Sequence, residues 1–312
     1  MVNTELQPAS VWIRLAATMI HRLPVARYRA MSALSSHFKY PFLMQLSAQL
    51  GGYWFKCDLR DSIAREICFN SRYEPQETSL IESILRPGMT FADVGANWGY
   101  FTLIAAHLVG KAGRIISLEP DPRLFQTLQD NVSRNDLSQV TALQLAAADK
   151  PGTLALNGYD ENGGNWGVSS LIADAVESAA IFPATARPLD ALLDEQGIDR
   201  VDLLKMDIEG AEEMALRGMS EGLAKHRYRR ILLEAHPALL RAQKRTTKDV
   251  LDLLIAAGYQ GWIIDHSSQA IRRAAYARAL DPADYLKRMD STDCFDEWPH
   301  FLWLAPDSLL QK

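Results

Sequence analysis

From about residue 90 onward the chain alternates short apolar runs with stretches whose apolar positions return every three or four residues. Short apolar runs fit buried strands, and the longer period fits amphipathic helices. Residues 90–94, 114–118, 140–146, 201–206 and 231–233 read as five strands, with 262–264 and 301–304 as the last two. Helices fall between them. Pro75 opens one whose Leu80, Ile81, Ile84 and Leu85 share a face, and Pro87-Gly88 stops it. Residues 100–109 form a second, closed by Gly110, and Asp121-Pro122 caps a third with Leu124, Leu128 and Val132 on one side. A short helix over 211–217 ends at Gly218. Thr246 or Thr247 caps another with Val250, Leu251, Leu254 and Ile255 inward and Gly258 at its end.

Strand–helix alternation of this kind predicts right-handed crossovers and an α/β fold, a doubly wound, mostly parallel seven-stranded sheet covered on both faces. Two regions depart from it. Between 150 and 200, Gly152, Gly158, Gly163, Gly164 and Gly167 punctuate short β-like pieces, which predicts a β-hairpin insertion with a mobile tip. Residues 8–50 read as helical, because Val11, Trp12, Leu15, Ala16, Met19, Ile20 and Leu23 recur at helical spacing with Arg14 and Arg22 among them. This N-terminal helical extension reads either as a cap that packs its stripe on the main domain or as a basic amphipathic surface for a membrane or partner.

Charge sharpens the division. The 312 residues carry a net −5, yet residues 1–60 alone sum to +5, leaving −10 for the rest. The break predicts an N-terminal helical region over 1–60 and a second domain over 61–312, with peripheral membrane contact or a homodimer through the first. A net negative charge argues against nucleic acid as the main partner, since phosphate binding draws on surplus Lys and Arg. Cys57, Cys68 and Cys294 stand far apart in sequence, which excludes a disulfide framework or a cysteine-rich zinc module and makes a cytoplasmic setting the expectation. No apolar run reaches the ~18 residues of a membrane span, and no signal-peptide pattern is visible.

In a doubly wound sheet the ligand binds outside the carboxyl ends of the strands. Asp93, Gly95, Glu119, Asp149, Asp207, Glu234 and His236 all fall at or just past such ends. Gly95 and Gly99 bracket a tight turn between strand and helix, and about 24 residues after Gly95 comes Glu119, placed to accept both hydroxyls of a ribose. A dinucleotide site usually shows GxGxxG with pyrophosphate on the helix N-terminus. Here the pattern is GxNxG beside the acidic Asp93, which suits a ligand carrying an ammonium and a sulfonium, S-adenosylmethionine rather than NAD. Asp207, Glu209, Glu212, Glu234 and His236 follow the fourth and fifth strands and face the site of chemistry. Glu212 and Glu213 also read simply as acids favoured by a helix start, and Lys205 as the ion-pair partner of a nearby carboxylate.

The text "FADVGANWGYFTL", "SLEPDP", "ARPLDALL", "VDLLKMDIEGAE" and "ILLEAHP", with "YEPQET" upstream, resembles the FkbM-type S-adenosylmethionine-dependent methyltransferases from about Tyr73 to His236, and more weakly to "HFLWLAP". The glycine loop is common to many class I methyltransferases of Rossmann-like fold, whereas "LLKMDIEGAE" is far more particular. The resemblance implies O-methylation of a hydroxyl on a sugar, glycolipid or polyketide-type acceptor. By position it implies Asp93, Gly95, Asn97 and Gly99 around the methionine part, Glu119 on the ribose, and Asp121 and Asp149 beside the adenine. Asp207 is expected to contact cofactor or substrate and His236 to act as a neutral imidazole base, with Asp207 either orienting that ring or acting as the base directly. Glu209, Glu234 and Trp166 are expected to contact the acceptor, with no metal. An NAD-dependent oxidoreductase and a catalytically silent nucleoside-binding scaffold are the competing classes.

Overall fold

The computed structural model describes residues 6–23, 27–35, 37–38, 40–159, 169–171, 180–277, 279–289 and 298–308. Two helices, α1 (Val11–His21) and α2 (Arg27–Ser35), lead into a two-stranded antiparallel hairpin of β1 (Phe42–Gln45) and β2 (Trp54–Cys57). The helical reading of 8–50 therefore fails in its second half. Leu43, Phe55 and Cys57 are buried while Gln45 is exposed, a strand-like division that the text before 50 hides. Helices α3 (Ser62–Asn70) and α4 (Pro75–Ile84) follow.

Then the alternation begins: β3 (Thr90–Val94), α5 (Tyr100–Val109), β4 (Arg114–Leu118), α6 (Pro122–Arg134) and β5 (Val140–Leu143). A smaller sheet intervenes, made of β6 (Ala146–Ala147), β7 (Gly152–Gly158) and β8 (Ala180–Arg187), in the order β6-β8-β7. The expected third strand thus breaks in two, its last residues pairing in this second sheet. The hairpin of β7 and β8 is the expected insertion, and its tip lies outside the described residues. After α7 (Leu189–Glu195) come β9 (Leu203–Met206), α8 (Glu212–Arg217), α9 (Ser220–Ala224) and β10 (Arg230–Glu234). The chain closes with α10 (Pro237–Ala242), α11 (Thr247–Ala256), β11 (Gln260–Ile264), α12 (Ser268–Tyr276), β12 (Leu286–Arg288) and β13 (His300–Leu304).

The main sheet runs β12-β11-β13-β10-β9-β3-β4-β5. Its pairs from β10 to β5 are parallel, and β13, inserted between β10 and β11, is antiparallel to both. This is the class I, Rossmann-like α/β arrangement. Among the described residues this sheet has eight strands rather than seven, because Leu286–Arg288 adds an edge strand within a stretch whose apolar pattern is too short to announce it.

Period-two alternation divides each central strand between two cores. Phe91, Leu203 and Leu232 face one apolar cluster, and Ala92, Leu204, Ile231 and Leu233 face the other. The first cluster also takes in Ile13, Ile20, Met31, Phe55 and Ile67, so the N-terminal region shares its core with the sheet.

Candidate active site

The turn after β3 is forced by the register of its neighbour. Val94 pairs with Met206, which sets the Gly95 backbone against the backbone of Asp207. A Cβ at Gly95 would lie 1.8 Å from the Asp207 carbonyl oxygen, and its φ of +86° is one that L-residues avoid. Asn97 then turns left-handed at φ +50°, and its backbone N–H donates to Glu119 Oε2 at 2.8 Å. The N–H of Asp121 donates to the other oxygen, Oε1, at 2.9 Å. Glu119 is thus a buried carboxylate fixed from both sides. Burial pushes it up to about 8, against the pull of those two N–H donors.

A cavity of about 440 Å³ opens over this turn, within the range of small-molecule sites. Gly95, Asn97 and Glu119 line one end, with Leu145, Ala146, Ala147, Leu156 and Leu171 as an apolar cradle beside them. The other end holds Glu74, Lys205, Asp207, Glu209, Glu234, His236 and His300. Pairing explains that gathering. Leu233 sits opposite Met206, so β9 and β10 deliver Asp207 and Glu234 side by side, and antiparallel β13 places His300 opposite Glu234.

These charges sort into pairs. Lys205 Nζ lies 3.2 Å from Asp207 Oδ2 and 3.9 Å from Glu74 Oε2, as the ion-pair reading of Lys205 expected. Burial alone would lower the ammonium, but Asp207 and Glu74 hold it firmly protonated. Burial likewise raises Asp207, and Lys205 with His236 overcomes it, leaving that carboxylate below its ordinary range. At Glu234 the same two cations, His236 and Lys205, are outweighed. Its burial, with Asp207 and Glu74 as like-charged neighbours, drives it well above the usual carboxylate range. Glu209 is raised by burial to about 7.

His236 Nδ1 is 2.7 Å from Glu212 Oε1, and Nε2 is 3.3 Å from Glu209, 3.6 Å from Glu234 and 3.8 Å from Asp207. Burial would favour the neutral ring, yet the hydrogen bond and charge of Glu212, with Glu209 and Glu234, raise His236 to about 10. It rests as an imidazolium near neutral pH, which corrects the expectation of a neutral ring. Glu212 orients it through Nδ1. Asp207 stands on the Nε2 side, so the orienting role expected of Asp207 belongs to the fully buried Glu212.

Beyond Glu234, Glu77 Oε1 binds His266 Nε2 at 2.6 Å and His300 Nδ1 at 3.1 Å. Burial raises Glu77, but the two imidazoles hold it well below the usual range. Among the described residues, carboxylates and imidazoles approach metal-binding spacing in three groups, two of which share Asp207. Their geometry answers to other cations. Glu74, Asp207 and Glu234 surround the Lys205 ammonium, and Asp207 and Glu209 face an imidazolium. The rings of His266 and His300 stack 3.7 Å apart at 6°, with a nitrogen of each against the same Glu77 oxygen.

Residues 93–260, more than half of the chain, match a family model described as the methyltransferase FkbM domain. The chain belongs to the FkbM methyltransferase family. The FkbM match begins at the β3 acid and ends in β11, so the N-terminal helices, the hairpin and α4 lie outside it. Among relatives, methyltransferase sdnD of Sordaria araneosa is 33% identical over 41% of this chain and 60% of its own length. The chain thus spans less than two thirds of that relative. The 2-O-methyltransferase NoeI of Sinorhizobium fredii is 26% identical over 57% of this chain and 75% of its own. A crystal structure of methyltransferase FkbM from Methylobacillus flagellatus superposes with a TM-score of 0.41 at 18% identity, covering 78% of this chain and 55% of that one.

Not every residue that the FkbM resemblance pointed to reaches the cavity. Asp93 is buried below the turn, where its Oδ2 accepts from Thr102 Oγ1 at 2.6 Å, and it does not line the wall. Gly99 caps α5 against Leu128, a packing role. Asp121 caps α6 and is tied to Arg123 at 2.8 Å and to the cavity-lining Ser169 at 2.8 Å, and it does not itself line the wall. Asp149 is exposed and outside the lining, whereas Leu145, Ala146 and Ala147 before it are part of the wall. Trp166 lies outside the described residues. Glu209 and Glu234 do line the wall, beside His236. Sequence reasoning missed Glu74, Glu77, His266 and His300. Only "YEPQET" hinted at the first two, and they read there as helix-opening acids.

Proposed function

We propose that this protein transfers a methyl group from S-adenosylmethionine to a hydroxyl of a sugar, glycolipid or polyketide-type acceptor. The observation that supports this best is the continuity of one cavity. It joins a glycine turn with a fixed carboxylate, Glu119, to a strand-end cluster of acids and one oriented imidazole. When bound, S-adenosylmethionine supplies an electrophilic methyl on a cationic sulfur. The donor set fits such a ligand: Glu119 retains lone pairs for a ribose diol, residues 145–147 offer an apolar bed for adenine, and Glu74, Asp207 and Glu234 face the cationic portion. The same acids disfavour the pyrophosphate of NAD. The relative NoeI is a 2-O-methyltransferase, which favours oxygen as the acceptor atom.

The chain's own contribution is alignment and proton removal. Once its resting proton has left, His236 accepts the hydroxyl proton at Nε2 while Glu212 holds the ring at Nδ1. Glu209 and Glu234 stabilise the imidazolium that results, and Lys205 keeps Asp207 ionised. Cavity-lining Tyr28, Ile63, Ile67, Ile271 and Trp298 give the acceptor side an apolar wall.

Calorimetry with S-adenosylhomocysteine and with NAD tests the cofactor. Binding of the first and not the second is expected. Glu119→Gln should weaken it by roughly five- to 150-fold, about 1–3 kcal/mol for a buried hydrogen bond lost to a ribose. Unchanged affinity in the variant would remove Glu119 from the ribose. Methyl transfer from labelled S-adenosylmethionine to a panel of hydroxylated acceptors tests the reaction, and tight binding without turnover on any of them would favour the silent scaffold.

A further inference from the structure

Helix α1 is apolar on both sides. Ile13 and Ile20 face the core, while Val11, Trp12, Leu15 and Met19 point outward, with exposed Leu23 just past the helix end; Trp12 is 76% and Met19 71% exposed. On a 3.6-residue helix these outward positions form one stripe, with exposed Arg22 inside it and Arg14 at its edge. Exposed Arg29 on α2 adds to the positive field. From residue 6 to residue 57 the sequence contains no Asp or Glu at all, in a protein of net charge −5. A contiguous apolar stripe flanked by basic side chains, with Trp among them, is the composition of a helix that lies in a lipid interface. A second copy fits it less well, since a twofold dimer on this face would bring the arginines of two identical stripes together.

We infer that the outer face of α1 docks on an anionic lipid bilayer, with Trp12, Leu15 and Met19 entering the interface and Arg14, Arg22 and Arg29 meeting lipid headgroups. The docking helix packs on α2 and α3, whose Tyr28, Ile63 and Ile67 line the cavity. Exposed Tyr28 and Trp298 stand at the cavity's opening, one layer from the docked helix. This placement matches an acceptor that carries its hydroxyl on a lipid.

The test is co-sedimentation of the full chain with vesicles of phosphatidylcholine alone and of phosphatidylcholine mixed with phosphatidylglycerol. It needs no turnover, so it stands or falls apart from the methyl-transfer reading. Binding is expected to the mixed vesicles only and to weaken steeply as salt is raised. Trp12→Glu with Met19→Glu should cut binding about tenfold or more while leaving the melting midpoint unchanged, since both side chains are exposed. No binding to anionic vesicles, or equal binding by the double variant, overturns the inference. A concentration-dependent dimer that the double variant abolishes would also overturn it, by assigning the face to a second copy.

Discussion

His236 shows how far surroundings can move a side chain from its reference behaviour. A lone imidazole with an ordinary pKa would be a ready base at neutral pH. Four carboxylates within 3.8 Å, led by Glu212, instead hold its proton up to about 10. A cation bound beside it lowers that value, so the acid limb of the rate should lie above pH 7 rather than near 6.5. Turnover is expected to climb by up to about tenfold per pH unit between 7 and 9. Stability follows the opposite course. The folded value exceeds the ~6.5 of an unfolded histidine, so this proton stabilises fully below that pH, and the contribution is lost as pH rises toward 10. A pH–rate profile beside melting midpoints over the same range checks both signs. His236→Gln should lower turnover by roughly 10²–10⁴-fold with cofactor affinity retained. An acid limb at 6.5, or a near-normal rate in the variant, would move the proton to Glu234 or Glu209.

At the scale of elements, the parallel strands and their crossovers were legible because buried runs and capping residues repeat with a fixed rhythm. The limits of α5 and β4 fall where Gly110, Arg114 and the apolar run place them. The turn after β3 was legible as a glycine position, but its cause was not: a β3–β9 register that presses Gly95 on Asp207 exists only once the sheet is assembled. The same reason hid His300. An antiparallel strand arriving from the chain's end sets it opposite Glu234, and no local spacing records that. Gly95→Ala tests the contact. Left-handed backbone costs an alanine about 1–2 kcal/mol, and a Cβ 1.8 Å from a carbonyl oxygen must also push two strands apart. Overpacking adds about 1–3 kcal/mol, so the melting midpoint should fall by roughly 3–8 °C, and S-adenosylhomocysteine affinity should fall with it. A variant with native stability and affinity would mean that the turn adapts without the β9 strand end.

For the whole molecule, the charge break near residue 60 is real in the sequence, but it does not divide the hydrophobic core. Ala9, Ile13, Ile20 and Met31 belong to the same apolar cluster as Phe91 and Leu103. The hairpin is stitched to the sheet's helices as well: Asn131 Oδ1 accepts the Lys56 N–H at 2.9 Å, and Asn135 Oδ1 accepts the Trp54 N–H at 2.8 Å. Composition reports charge, whereas cores are set by which apolar faces meet, and the apolar text of α1 was ambiguous because both its faces are apolar. Deleting residues 1–40 should therefore do more than remove a docking surface. Burial of one Ile or Met side chain contributes about 1.5–3 kcal/mol, and the deletion removes Ile13, Ile20 and Met31 while baring the α3 surface beneath them. That loss is comparable to the ~5–15 kcal/mol by which domains are stable. The truncated protein is expected to aggregate or to melt at least about 10 °C lower. Exposed-face variants such as Trp12→Ala and Met19→Ala should stay within about 0.5 kcal/mol of the parent, and Ile20→Ala should cost about 2–5 kcal/mol. Thermal melts on this set separate the two faces of one helix. A soluble truncation with an unaltered midpoint would make residues 1–40 an appendage, and the shared core would then carry no stability.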